Sequence, residues 1–242
     1  MKKIICIFLS MLMVFSLTAC TEKTEKEEPI ITQESTENES IYPSPTSVTW
    51  EKSENNLGAR YIFTLEEFTD MLNERCEGLG ETETTQFFEM DNWKKMSETL
   101  VDDNGIEYTS YYYATDALTI TAAVENESEK VLNLGCGTAY TEFVNSDADY
   151  QYTVMLTSAI LAMVAGGYED DDLEFLYYIF FDSAKTDTAF FYNNSVYMLN
   201  LSKEKGEKDA ALLFMISPCK DEILEEWELT DYSKFEASSV NA

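Results

Sequence analysis

The chain has 242 residues, no histidine, and 46 acidic against 16 basic side chains, for a formal net charge of −30. Such a charge repels nucleic acid and anionic lipid headgroups, so neither is a partner. The missing imidazole rules out Ser-His-Asp and Cys-His catalysis, His-ligated zinc and histidine-based pH switching.

Met1-Lys2-Lys3 is a short cationic start, and Ile4 to Leu17 is an apolar run interrupted only by Ser10 and Ser16. Leu17-Thr18-Ala19-Cys20 closes it. A cationic end, an apolar middle and a small-residue cleavage site make residues 1–19 a secretory signal. The apolar core of about 14 residues is short for a bilayer span, which needs ~20. The four closing residues resemble the lipobox of bacterial lipoproteins. That resemblance implies cleavage between Ala19 and Cys20, diacylglycerol on the Cys20 thiol, and anchorage to the outer, extracytoplasmic face of a bacterial cell membrane. Cleavage there would remove Lys2 and Lys3 and shift the net charge from −30 to −32.

Residues 20–47 are rich in Glu, Thr and Ser, carry Pro29, Pro43 and Pro45, and hold too few apolar groups to bury anything, so they read as a flexible acidic tether. A globular domain is expected over 48–236, because 15 Tyr and 14 Phe can build a substantial core. Its first helix starts at Thr64, where Glu67 completes a capping box, and Leu65, Phe68, Met71 and Leu72 recur at helical spacing. A second helix is expected from Asp91 to Val101, with Trp93, Met96 and Leu100 on one side. It ends in the turn Asp102-Asp103-Asn104-Gly105.

Three strand-like runs follow, Glu107–Ala114, Leu118–Val124 and Val131–Cys136, and read as a meander. Tyr150 to Tyr168 carries no formal charge and is flanked by acids, with no Lys or Arg to orient it across a membrane. A helix apolar all round in such a domain is a buried one. Asp170-Asp171-Asp172 opens a helix expected over Leu173–Ala184, and strands are expected at Thr188–Tyr192, Val196–Leu201 and Ala210–Ile216. Tyr111–Leu134 overlays Phe190–Leu213 strand for strand at an offset of 79 residues. The fold class is therefore α+β, with a tandem repeat of a helix pair plus an antiparallel three-stranded sheet over 61–138 and 149–217. Glu222–Phe235 adds a helical turn or an edge strand, and 237–242 fray. This order of elements is similar to that of β-lactamase-inhibitor-like proteins. The likeness is one of topology and repeat length, and implies binding of other proteins on a concave sheet face.

Cys6 leaves with the signal and Cys20 takes lipid, so Cys76, Cys136 and Cys219 remain, three scattered thiols best read as buried. Asp170, Asp172 and Glu174 are the candidate cation ligands, hard oxygens suited to calcium. They lack EF-hand spacing, and helix capping accounts for them, so no metal or other cofactor is expected. In Tyr111-Tyr112-Tyr113 and Phe190-Phe191-Tyr192, alternation along a strand turns at least one ring away from its neighbours. Tyr111, Tyr113, Phe190 and Tyr192 are the candidate contacts to a protein or a cell-wall glycan, although burial is the ordinary fate of such rings. No nucleophile elbow, phosphate loop or dinucleotide fingerprint is present, and no catalytic residue stands out. A noncatalytic protein-binding lipoprotein is the expectation. The alternatives are a glycan- or solute-binding lipoprotein and a His-independent hydrolase acting through paired carboxylates. The lipobox reading predicts that Cys20→Ser moves the protein from the detergent phase to the aqueous phase on Triton X-114 partition. Unchanged partition would refute the anchor.

Overall fold

A computed structural model describes residues 45–78, 88–96, 98–173, 176, 188–192, 195–202, 210–220 and 230–231. The expected signal, Cys20, most of the expected tether and residues 232–242 lie outside these residues. Order is already present at the expected end of the tether. The Thr46 and Ser47 amides donate to the Gly167 carbonyl at 2.9 and 3.3 Å, and the Thr49 hydroxyl donates to the Ala165 carbonyl at 2.6 Å.

A hairpin of β1 (Trp50–Lys52) and β2 (Ala59–Tyr61) leads into α1 (Leu65–Gly78). The capping box forms as read. The Glu67 amide donates to the Thr64 hydroxyl at 3.2 Å, and the Thr64 amide donates to the Glu67 carboxylate at 2.8 Å. Each bond satisfies a donor at the helix start, and the backbone bond holds the Glu67 carboxyl below its usual range. Leu65, Phe68, Leu72 and Cys76 bury one stripe of α1.

The helix expected over Asp91–Val101 is absent. A 3-10 turn at Met90–Asn92 is followed by the two-residue strands β3 (Lys94–Lys95) and β4 (Leu100–Val101). Tertiary bonds override the helical spacing. The Trp93 indole donates to the Thr69 hydroxyl at 3.0 Å, its ring meets Tyr113 edge-on at 5.6 Å, and the Met96 amide donates to the Ser110 carbonyl at 2.8 Å. The turn at Asp102–Gly105 is present, with Gly105 at φ 85°.

The meander forms as β5 (Glu107–Ala114), β6 (Thr119–Glu125) and β7 (Val131–Ala139). A short α2 (Tyr140–Asn145) then precedes α3 (Ala148–Gly166). The carboxylate of Asp147 caps α3 by accepting from the Tyr150 amide, and Gly167 ends it in the left-handed conformation that glycine adopts without strain. From Val154 to Gly166 α3 is buried at every position except Thr157. No described helix is long and apolar enough to cross a membrane. Of the helix expected over Leu173–Ala184, Leu173 and Leu176 are helical and the remainder lies outside the described residues.

The later strands are β8 (Thr188–Tyr192), β9 (Ser195–Ser202), β10 (Ala211–Pro218) and the edge strand β11 (Thr230–Asp231). The two meanders do not stand as separate three-stranded sheets. β7 and β10 pair antiparallel, with Cys136 opposite Phe214, and fuse them into one nine-stranded sheet of order β11-β8-β9-β10-β7-β6-β5-β3, with β4 also on β5. Every pairing is antiparallel except β11 with β8. The fold is α+β. α1 packs on α3 and α3 packs on β7 and β10, so the main core lies on one face of the sheet and contains Ile120, Leu134, Leu161 and Phe214.

Gly135 on β7 faces away from that core. A methyl added there would stand 2.9 Å from the Phe214 carbonyl oxygen and 3.0 Å from the Thr121 hydroxyl. Gly135→Ala is therefore expected to lower stability by about 1–3 kcal/mol, the usual cost of overpacking. Leu161→Ala, which opens a void inside α3's packing, should lower it by about 2–5 kcal/mol. Both are read by urea denaturation.

Candidate functional site

Strand register divides the sheet's side chains into two sets. Tyr113 is opposite Ile120 and Tyr111 opposite Ala122, and both partners belong to the core. Tyr113 is buried against Phe88 and Trp93, with ring centroids 5.2 and 5.6 Å away, and Tyr111 is half-buried against the core. These two candidate contact residues are thus packing residues, and the ring that turns away is Tyr112. Phe190 and Tyr192 lie in β8 opposite Tyr197 and Ser195, and only their backbone is described. Phe191, between them, likewise has no described side chain.

The face opposite the helices carries Tyr108, Ser110 and Tyr112 from β5, Thr119, Thr121 and Ala123 from β6, Asn133, Gly135 and Gly137 from β7, and Leu213, Met215 and Ser217 from β10. On β10 this face is closed, with Leu213 1% and Met215 7% exposed. Across β5–β7 it is closed at Ser110, Thr119, Ala123, Gly135 and Gly137, which are buried, and partly accessible at Tyr108, Tyr112, Thr121 and Asn133, which are half-buried. Small side chains in the middle and tyrosines at the margin make a shallow, mostly polar strip.

One end of the strip deepens into a pocket. The hairpin turn between β1 and β2 folds against the turn between β4 and β5, and Asp102 joins them. Its carboxylate accepts from the Asn104 and Ile106 amides at 3.0 and 2.8 Å, and from the Asn56 amide at 3.0 Å. The Asn104 side chain donates to the Glu54 carbonyl at 3.0 Å. The pocket beneath has an internal volume of about 50 Å³ and is lined by Asn55, Asn56, Leu57, Asp102, Tyr108, Leu132, Asn133 and Ser217. Leu57 and Leu132 are its apolar part. Asn55 is spent on the turn, donating to the Ala59 carbonyl and accepting from the Leu57 amide. Burial, with Asp102 and Asp103 adding negative charge, holds the Tyr108 phenol above its usual range. A second groove, beside Lys95, Met96, Glu98 and Thr99, is open to solvent.

The acid run has other work. The Asp170 carboxylate accepts from Arg75 at 2.8 Å, and Asp172 and Glu169 cap the 3-10 turn Asp170–Asp172 reciprocally. Glu174 lies outside the described residues, and no group of three metal-ligating side chains forms among the described ones. Next to the pocket, Arg60 of β2 pairs with Glu51 at 2.9 Å and with the buried Glu125, which also accepts from Ser128. This network ties the hairpin to the end of β6.

Cys76, Cys136 and Cys219 are buried. Burial pushes Cys136 up to about 12, only partly offset by its 3.1 Å contact to the Ser158 hydroxyl, and burial pushes Cys76 up to about 11. The chain matches no family model, no curated protein and no solved structure.

A thiol whose pKa is raised on folding contributes stability below its unfolded value, near 8.5, and that contribution is lost as pH rises through the folded value. The melting temperature is therefore expected to fall progressively above pH ~9 and through the range 11 to 12. Cys136→Ala should flatten part of that fall in a series of thermal melts. At pH 8, without denaturant, DTNB should label neither Cys76 nor Cys136.

Proposed function

We propose that the chain is an exported, lipid-anchored, noncatalytic binding module that recognises a protein partner through the β5–β7 half of the sheet face opposite its helices, on the outer face of a bacterial membrane. The leader and Leu17-Thr18-Ala19-Cys20 support the anchor. The two meanders are read as degenerate half-repeats joined through β7 and β10, the arrangement that widens one sheet into a docking face.

One observation carries the binding reading. The half-buried residues Tyr108, Tyr112, Thr121 and Asn133 lie along a face that ends in a pocket of about 50 Å³, a volume suited to a side-chain tip. Metabolite sites run to ~300–1,000 Å³. Tyrosines at the margin of such a surface supply large rigid contact area at small entropic cost.

The test is photo-crosslinking in the native membrane. A benzophenone amino acid at position 112 or 121 should give a discrete protein adduct, and one at the exposed Glu77 on α1 should not. Adducts from position 77 alone would refute the assignment of the face.

A further inference from the structure

We propose that the pocket between the hairpin turn and the sheet seats the guanidinium of an arginine on a basic protein partner. This rests on the reading of the β5–β7 sheet face as the docking surface and names what that surface selects. Three observations point to a cationic, planar tip. First, the field is negative: the chain carries a net charge of −30, and Asp102 lines the pocket with Asp103 next to it in sequence. Long-range attraction steers basic partners toward such a surface. The nearby Lys220 lies across Gly58, outside the lining, where an added methyl on Gly58 would meet its side chain.

Second, polar groups around the pocket have spare capacity. Tyr108, Asn133 and the Asn56 amide side chain make no side-chain hydrogen bond among the described residues. Ser217 is 5% exposed and its hydroxyl has no such partner either. The Ser217 hydroxyl and the carbonyl oxygens of Asn56 and Asn133 are acceptors that a multi-donor group can satisfy. Third, a tyrosine ring beside an apolar floor suits arginine. Guanidinium is planar, weakly hydrated and stacks on aromatic faces, whereas an ammonium holds its water more tightly. The pocket's volume of about 50 Å³ admits a side-chain tip and no more.

The experiment uses the full-length chain in zwitterionic detergent, labelled with nitrogen-15, and two probes: the pentapeptide acetyl-Gly-Gly-Arg-Gly-Gly-amide and its citrulline counterpart, which keeps the shape and removes the charge. The arginine peptide should shift the amide signals of Asn56, Tyr108 and Asn133 saturably. The citrulline peptide should bind about tenfold or more weakly, the scale of one lost charge-assisted contact. Tyr108→Leu and Asn133→Leu, each checked for a wild-type melt, should weaken the arginine peptide severalfold, and Tyr112→Ala should not. Equal binding of the two peptides would overturn the proposal. So would shifts spread over the acidic surface that neither pocket variant reduces. Because crosslinking from positions 112 and 121 does not depend on the pocket, adducts there alongside a failed arginine titration would discard the pocket and keep the docking face. Absence of both would discard the two together.

Discussion

The structure depends on the requirement that α3 be covered. A helix with buried residues on every side has no face to give to water, so each neighbouring element is obliged to supply apolar surface. α1 does so from one direction through Phe68 and Leu72, and β7 and β10 do so from another through Leu134, Leu212 and Phe214. The same demand explains why β7 and β10 sit side by side at the middle of the sheet. Two separate three-stranded sheets would each leave an edge where α3 needs a continuous floor.

That central junction also shapes the opposite face. Gly135 and Gly137 carry no side chain, and Thr121 and Met215 close over Gly135 at contact distance. Relief is therefore low along β6 and β7 and rises at Tyr108 and Tyr112. The pocket forms where this low ground meets the β1–β2 turn, held down by Asp102. The carboxylate spends three acceptor sites on backbone amides, so it is fixed in place as a turn residue while its charge still bears on the adjacent Tyr108.

Much of this was legible in residue patterns, and the failures have definite causes. The Thr64–Glu67 box, the charge-free run of α3 and six of the strands follow from local rules, because capping and hydrophobic period act within a few residues. Trp93, Met96 and Leu100 also keep helical spacing, yet their stretch turns and pairs with β5, since the indole bond to Thr69 and the sheet bond to Ser110 come from distant parts of the chain. Alternation correctly implied that one tyrosine of the 111–113 run turns outward. Which one does so depends on Phe88 and Trp93 packing around Tyr113. The pocket was invisible for the same reason: Asn56, Asp102, Asn133 and Ser217 are far apart in sequence and meet only through β-sheet register and the Asp102 bridge.

The attachment of Thr46, Ser47 and Thr49 to the C-terminal end of α3 has a mechanical meaning. Tension arriving along the chain from its N-terminal side meets the folded body at Thr46 and is borne by the bonds to Gly167 and Ala165, beside the left-handed glycine that closes the helix. The load then passes into α3, the most fully buried helix among the described residues, rather than into the β1–β2 hairpin or the strands of the sheet. A pull at that point loads the end of α3 and leaves the sheet unloaded.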